Sequence, residues 1–196
     1  NKYSKNLLFP IERLTKRKEI GIIQTQHLPF YGYDIWNAYE VSWLNSYGKP
    51  EVRIAEIIYP ADSRNIVESK SLKLYLNSFN GTSFNNESEV QKLIVDDLSS
   101  AVDSSIVKVN FYSLNKTFKI YKPEGRCIDS LKVKCTENNI NPDVLFTAKD
   151  RIVEETLYSN LLKSNCPVTN QPDWATLIIN YRGPKINHKA LLKYII

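Results

Sequence analysis

Between residues 38 and 121 the spacing of apolar side chains changes twice, and that change limits the fold more than any other feature of the chain. Residues 38–45 (AYEVSWLN) and 52–59 (VRIAEIIY) are rich in β-branched and aromatic residues. They flank Ser46-Tyr47-Gly48-Lys49-Pro50, a turn sequence, so the pair reads as an antiparallel hairpin. In 68–79 (ESKSLKLYLNSF) the period lengthens: Leu72, Tyr75, Leu76 and Phe79 recur on one helical face, and Asn80-Gly81 marks the stop. A second helix opens on Asn86 as N-cap with Glu89 three residues on, a capping-box pattern, and carries Val90, Leu93, Ile94 and Leu98 to about Val102. After Asp103 the period returns to two, with Val107, Val109 and Phe111 on one side and Lys108, Asn110 and Tyr112 on the other. Residues 117–121 read as a further strand. The predicted order is strand, strand, helix, helix, strand, strand.

The flanking segments are less regular. Residues 1–37 show no sustained period and are expected to be irregular, and 122–150 read as a loop-rich connector around Pro123, Gly125, Asn138-Asn139 and Pro142. From 151 the pattern restarts: a mixed apolar segment at 152–162, a clear strand at 175–181 (ATLIINY), then a helix over 189–196 capped by Asn187. The expected organisation is one α+β module at 38–121 and the start of a second at 151–196. A length of 196 residues accommodates one large domain or two small ones.

Composition narrows the function classes. The apolar and aromatic content excludes a disordered chain, and the apolar runs fall short of the roughly 20 residues of a spanning helix. Net charge is +5, which suits an anionic ligand, whereas the one dense basic run, Lys16-Arg17-Lys18, is offset by Glu12 and Glu19 and reads as a solvated surface segment. An RNA-binding domain rests on charge alone. Three cysteines (Cys127, Cys135, Cys166) and two histidines (His27, His188) have no zinc-like spacing, so no metal is expected; unpartnered thiols suit a reducing compartment, hence the cytoplasm.

Two stretches can carry chemistry. The first is Val67-Glu68-Ser69-Lys70-Ser71, at the start of the first helix. Helix N-termini attract anions, so Ser69 and Lys70 could hold a phosphate, while Glu68 could accept two hydrogen bonds from the N–H edge of a guanine-like base. The same residues read equally as an ordinary capped helix. The second is Ser164-Asn165-Cys166-Pro167-Val168-Thr169-Asn170-Gln171-Pro172-Asp173-Trp174, a stiff polar loop before a strong strand. Its thiol is the best nucleophile among the neutral side chains, acting as thiolate. Asp173 beside Trp174 could stay protonated by desolvation and serve as an acid. Alternatively, Cys166 is an inert buried thiol and Asp173 caps a turn.

Together these stretches resemble the signature helix and catalytic-cysteine loop of the QueF nitrile reductases, the 7-cyano-7-deazaguanine reductases of queuosine biosynthesis. The likeness extends to His27-Leu28-Pro29-Phe30, Asp34-Ile35-Trp36, Tyr39-Glu40-Val41-Ser42-Trp43-Leu44-Asn45 and the segments 74–80 and 153–165. It fits the two-module subgroup, with the signature helix in the first module and the cysteine in the second. The resemblance implies a tunnelling fold (T-fold) of tandem ββααββ modules with antiparallel sheets, closed into barrels by oligomerisation, here as a homodimer. It implies reduction of the nitrile of 7-cyano-7-deazaguanine to 7-aminomethyl-7-deazaguanine with NADPH, through a Cys166 thioimide and Asp173 as proton donor. Val67, Glu68 and Ser69 would contact the base, and Ser69 and Lys70 the NADPH; neither nucleic acid nor membrane is an expected partner.

One departure bears on activity. Members of the family continue with a helix carrying a His-Glu pair that holds the substrate, then an Arg-Gly contact to NADPH. Neither follows Ile196, and His188 sits in a different context (Asn187-His188-Lys189). With Met also absent, the chain reads as truncated. The alternative function is therefore a catalytically incomplete module that binds a purine.

Overall fold

The computed structural model describes residues 2–23, 28–119, 121–135, 140–166 and 169–196. His27, Asn138, Asn139, Pro167 and Val168, each singled out above, lie outside the described residues. The chain divides into two compact units, Asn1–Phe118 and Lys119–Ile196.

In the first unit the N-terminal segment is more regular than its composition suggests. It contains a short strand β1 (Pro10–Glu12) and a helix α1 (Arg13–Glu19). No residue of α1 is buried, so it has no apolar stripe to betray it. Its basic run is solvated in part: Lys16 pairs with Glu19, while Arg17 reaches the Ala61 carbonyl and lies over Phe30. Strand β2 (Tyr33–Leu44) pairs antiparallel with β3 (Pro50–Pro60), confirming the hairpin but lengthening both arms. Its register shifts between Ala38 and Val41. That bulge leaves Tyr39 and Glu40 both exposed, and it moves the inward face from Asp34, Trp36 and Ala38 to Val41 and Trp43. Without the extra residue, Val41 and Trp43 would point away from the core.

A three-residue strand β4 (Asn65–Val67) leads into helix α2 (Ser69–Asn77), which tightens into a 3₁₀ turn over Ser78–Gly81. Helix α3 (Glu87–Val102) and strand β5 (Lys108–Tyr112) follow. The Asn86 side chain accepts the Glu89 N–H as expected, but the Glu89 carboxylate returns to the Asn85 N–H, one residue earlier than a capping box requires. The sheet order is β2-β3-β5. Residues 117–119 and 121 are not in a strand, so the second closing strand expected at 117–121 is absent among the described residues; Phe118 instead packs edge-on against Tyr39.

The core lies between this sheet and the two helices. Val41, Trp43, Ile57, Tyr59 and Val109 meet Leu72, Tyr75, Phe79, Ile94 and Leu98. Within it the buried Asp97 carboxylate of α3 accepts the Tyr75 and Tyr3 hydroxyls, both at 2.6 Å on Oδ2. The N-terminal segment is a strap along the signature region. Tyr3 N–H donates to Thr82 Oγ1, Ser4 N–H to Ser78 Oγ and Phe9 N–H to Ser71 Oγ, and β1 pairs with β4.

The second unit is a long antiparallel ribbon, β7 (Thr147–Asn165) with β8 (Pro172–Ile186), preceded by a two-residue strand β6 (Arg126–Cys127) parallel to β7. The connector thus ends earlier than expected, because β7 begins at Thr147, and it already contains β6 and a 3₁₀ turn at Pro142–Val144. Gly125 makes the entry to β6 possible: its φ is +102° and a Cβ there would collide with the Thr156 carbonyl. Helix α4 (His188–Ile195), capped by Asn187 through the Ala190 N–H, buries Leu191, Leu192 and Ile195 against Ile128 and Leu157. Among the described residues no helix is long and apolar enough to cross a membrane.

Candidate active site

The two chemical stretches fall one in each unit. In the first, Glu68 is the N-cap of α2. Its Oε1 accepts the Lys70 N–H at 2.9 Å and its Oε2 the Ser71 N–H at 2.6 Å, with the Ser69 hydroxyl at 3.3 Å. The backbone donation from Lys70, followed by opposing desolvation and the Ser71 bond, holds this carboxyl below the usual carboxylate range. The capped-helix reading and the ligand reading therefore concern one side chain. The amides that could meet a phosphate are the ones Glu68 occupies. Val67 is 1% exposed and packs in the core, so a base could meet it only along the backbone. Ser69 and Lys70 are exposed.

Replacing Glu68 with alanine is expected to cost about 1 kcal/mol of stability, the scale of a lost N-cap, measured by urea unfolding near neutral pH. Because the folded-state pKa is depressed, this contribution is present above the ordinary carboxylate pKa. It fades as pH falls through the lowered value, so the variant and the parent converge in acid.

In the second unit the cysteine loop is the turn of the β7–β8 hairpin. Cys166 N–H donates to the Gln171 carbonyl at 2.9 Å, and Asn170 N–H to the Cys166 carbonyl at 2.8 Å. Asn170 adopts φ +55°. Asn165 pairs with Pro172 and Ser164 with Asp173, so Cys166, Ser164 and Asp173 share one face of the ribbon. Cys166 and Asp173 are diagonal neighbours, a relation that spans roughly 7–8 Å between backbones and lets side chains approach one substrate. Cys166 is half-buried. Asp173 is exposed, and Trp174 follows it in the strand, hence on the opposite face, 59% exposed with Lys163 over its ring at 5.9 Å. The desolvation of Asp173 by Trp174 expected from adjacency is therefore not made within this chain.

The profile described as "Nitrile reductase, 7-cyano-7-deazaguanine-reductase N-term" matches residues 1–111. The chain belongs to this nitrile reductase family. Proteins named NADPH-dependent 7-cyano-7-deazaguanine reductase resemble it over nearly its whole length. Those of Hydrogenovibrio crunogenus and Dechloromonas aromatica are each 49% identical over 195 residues, 99% of this chain and 70% and 69% of theirs. That of Desulfotalea psychrophila is 49% identical over 197 residues, 99% of this chain and 70% of its own length. Membership agrees with the α+β architecture of antiparallel sheets flanked by helices.

Two features of the second unit carry little signal in the sequence pattern. One is Asn170, although asparagine tolerates the left-handed region and the surrounding Thr-Asn-Gln-Pro is turn chemistry. The Glu155 carboxylate, which accepts the Tyr181 hydroxyl at 2.5 Å and faces His188 Nε2 at 2.9 Å, gives His188 a structural place at the start of α4.

Proposed function

We propose that this chain catalyses NADPH-dependent reduction of the nitrile of 7-cyano-7-deazaguanine to 7-aminomethyl-7-deazaguanine, the step of queuosine biosynthesis that its family resemblance implies, with Cys166 as nucleophile and Asp173 as proton donor. The observation that supports the assignment best is the hairpin register that gives Cys166 and Asp173 a common face, in a chain 49% identical to named reductases.

A nitrile carbon is electrophilic but has no leaving group. The Cys166 thiolate adds to it, forming an S–C bond as one C–N π bond opens onto nitrogen. Asp173 gives that nitrogen a proton, which yields a covalent thioimide. NADPH, when bound, would supply two hydrides, the first taking the tethered carbon to the imine level and the second, together with a further proton to nitrogen, taking the released imine to the amine. Loss of the C–S bond between the two reductions returns the thiolate. Glu68 accepts the N–H edge of the base, Val67 meets it through the backbone, and Ser69 contributes its hydroxyl. The exposed Ser69 hydroxyl and Lys70 ammonium form a donor set suited to phosphate oxygens and would hold the cofactor. The enzyme works as a homodimer, a reading supported by the exposed row Tyr33, Ile35 and Tyr39 on β2. It works in the cytoplasm, where a thiolate nucleophile stays reduced.

Incubation with 7-cyano-7-deazaguanine in the absence of NADPH is expected to add the mass of the whole base to the chain, on the peptide carrying Cys166. An adduct mapped to Cys127 or Cys135, or none at all, would remove the thioimide mechanism.

A further inference from the structure

The backbone N–H and carbonyl of the proposed nucleophile are bonded to residues 171 and 170. Cys166 donates its N–H to Gln171 and receives the Asn170 N–H on its carbonyl. Both bonds meet the chain at Asn170 and its successor, and Asn170 has φ +55°, a region that L-residues other than asparagine and aspartate enter reluctantly and β-branched ones scarcely at all. We infer that Asn170 is a positioning residue for the reaction: its left-handed backbone fixes the orientation of Cys166 relative to Asp173 across the hairpin. The inference rests on the reading of Cys166 as nucleophile.

The causal chain is short. With residue 170 left-handed, the Cys166–Gln171 bond continues the ribbon past the Asn165–Pro172 pair, so Cys166 inherits the face of Ser164 and Asp173. If residue 170 leaves that region, the two bonds cannot both form, and the Cα–Cβ direction of Cys166 is no longer set by the strand. The thiol would still be present and accessible, but its approach to a nitrile held next to Asp173 would become one among several orientations. What matters at 170 is backbone conformation rather than amide chemistry, since among the described residues its side chain is met by a bond from Asn165 Nδ2 that is 3.5 Å long.

The test is a substitution series in the full chain, Asn170→Gly, Asn170→Ala and Asn170→Val. The rate of adduct formation at Cys166 is followed by intact mass in parallel with binding of the base by calorimetry. Glycine is expected to match the parent. Alanine is expected to slow the adduct about tenfold and valine more, following the penalty for a side chain in the left-handed region, with the affinity for the base changed by less than twofold. Rescue by glycine, which deletes the amide but keeps the conformation, is a result that general destabilisation would not give. Adduct rates equal in the parent and the alanine and valine variants, or a glycine variant as slow as valine, would overturn the inference alone. An adduct absent from the parent, or surviving Cys166→Ala, would overturn the reading of Cys166 and this inference with it.

Discussion

Cys166→Ala is expected to abolish the covalent adduct and to lower NADPH oxidation by about 10⁴-fold or more, the scale seen when a covalent enzyme loses its nucleophile. The fold should survive. The hydrogen bonds of Cys166 that close the hairpin come from its backbone N–H and carbonyl, which alanine keeps, and the side chain is only half-buried. Unfolding free energy is therefore expected to move by no more than about 1 kcal/mol. Binding of the base, proposed to run through Glu68, should remain measurable by calorimetry. Cys166→Ser should be as inactive as alanine, because a hydroxyl at neutral pH supplies almost no anion. Cys127→Ala should keep its turnover: that residue lies in β6, opposite Tyr158 in the parallel pairing with β7, and not in the turn of the β7–β8 hairpin. Undiminished turnover in Cys166→Ala would dismiss the thioimide. A parent chain that binds the base but never oxidises NADPH would instead favour the purine-binding module without catalysis.

The parts of the fold that were legible are those in which one face is buried over several turns. Leu72, Tyr75, Leu76 and Phe79 announce α2 because all four are in the core, and Asn86 announces α3 because its side chain does what a cap does. The illegible parts have local reasons. Helix α1 buries nothing, so its sequence has no period. The bulge at Tyr39 and Glu40 breaks the alternation of β2, so its first five residues look like part of the irregular segment. Strand β7 begins in charged residues, Asp150 and Arg151, that resemble a loop. Residues 117–121 have strand-like composition, but pairing is a tertiary event and propensity does not supply it. At the proposed site, the residue types at 68, 69, 70, 166 and 173 suggest the chemistry. Their relation does not follow from spacing: adjacency in sequence suggests Trp174 as a shield for Asp173. The registers of the hairpin reverse that, since successive strand residues face opposite ways.

The largest stability effect is expected at Asp97, a residue with no sequence signal, whose partners lie 94 and 22 positions away. Its carboxylate satisfies two tyrosine hydroxyls inside the core, and Asp97→Ala leaves both without an acceptor. At about 1–3 kcal/mol for each orphaned group, the loss should reach about 3–5 kcal/mol, much of the stability of a typical domain. Asp97→Asn, which keeps an acceptor oxygen, should cost distinctly less. Tyr75→Phe, which removes one donor and leaves the carboxylate bonded to Tyr3, should also fall between parent and alanine. The same network sets the alkaline limit. Burial first, then the bond to Asp97 and the repulsion of its charge, push the Tyr75 hydroxyl far above its ordinary value, whereas in the unfolded chain it ionises near pH 10. The unfolded state then holds fewer protons than the folded one above pH 10, so the Tyr75 contribution is intact below that pH. Above it, the Tyr75 contribution should fall by about 1.4 kcal/mol per pH unit, and Tyr3, raised by burial and the same carboxylate, adds to the slope. Urea unfolding at pH 8, 10 and 11 reads this slope directly, and Tyr75→Phe should flatten it. A slope unchanged by that substitution, or an Asp97→Ala variant as stable as the parent, would show that the Asp97 network adds nothing to the contacts that join the strap and the two helices.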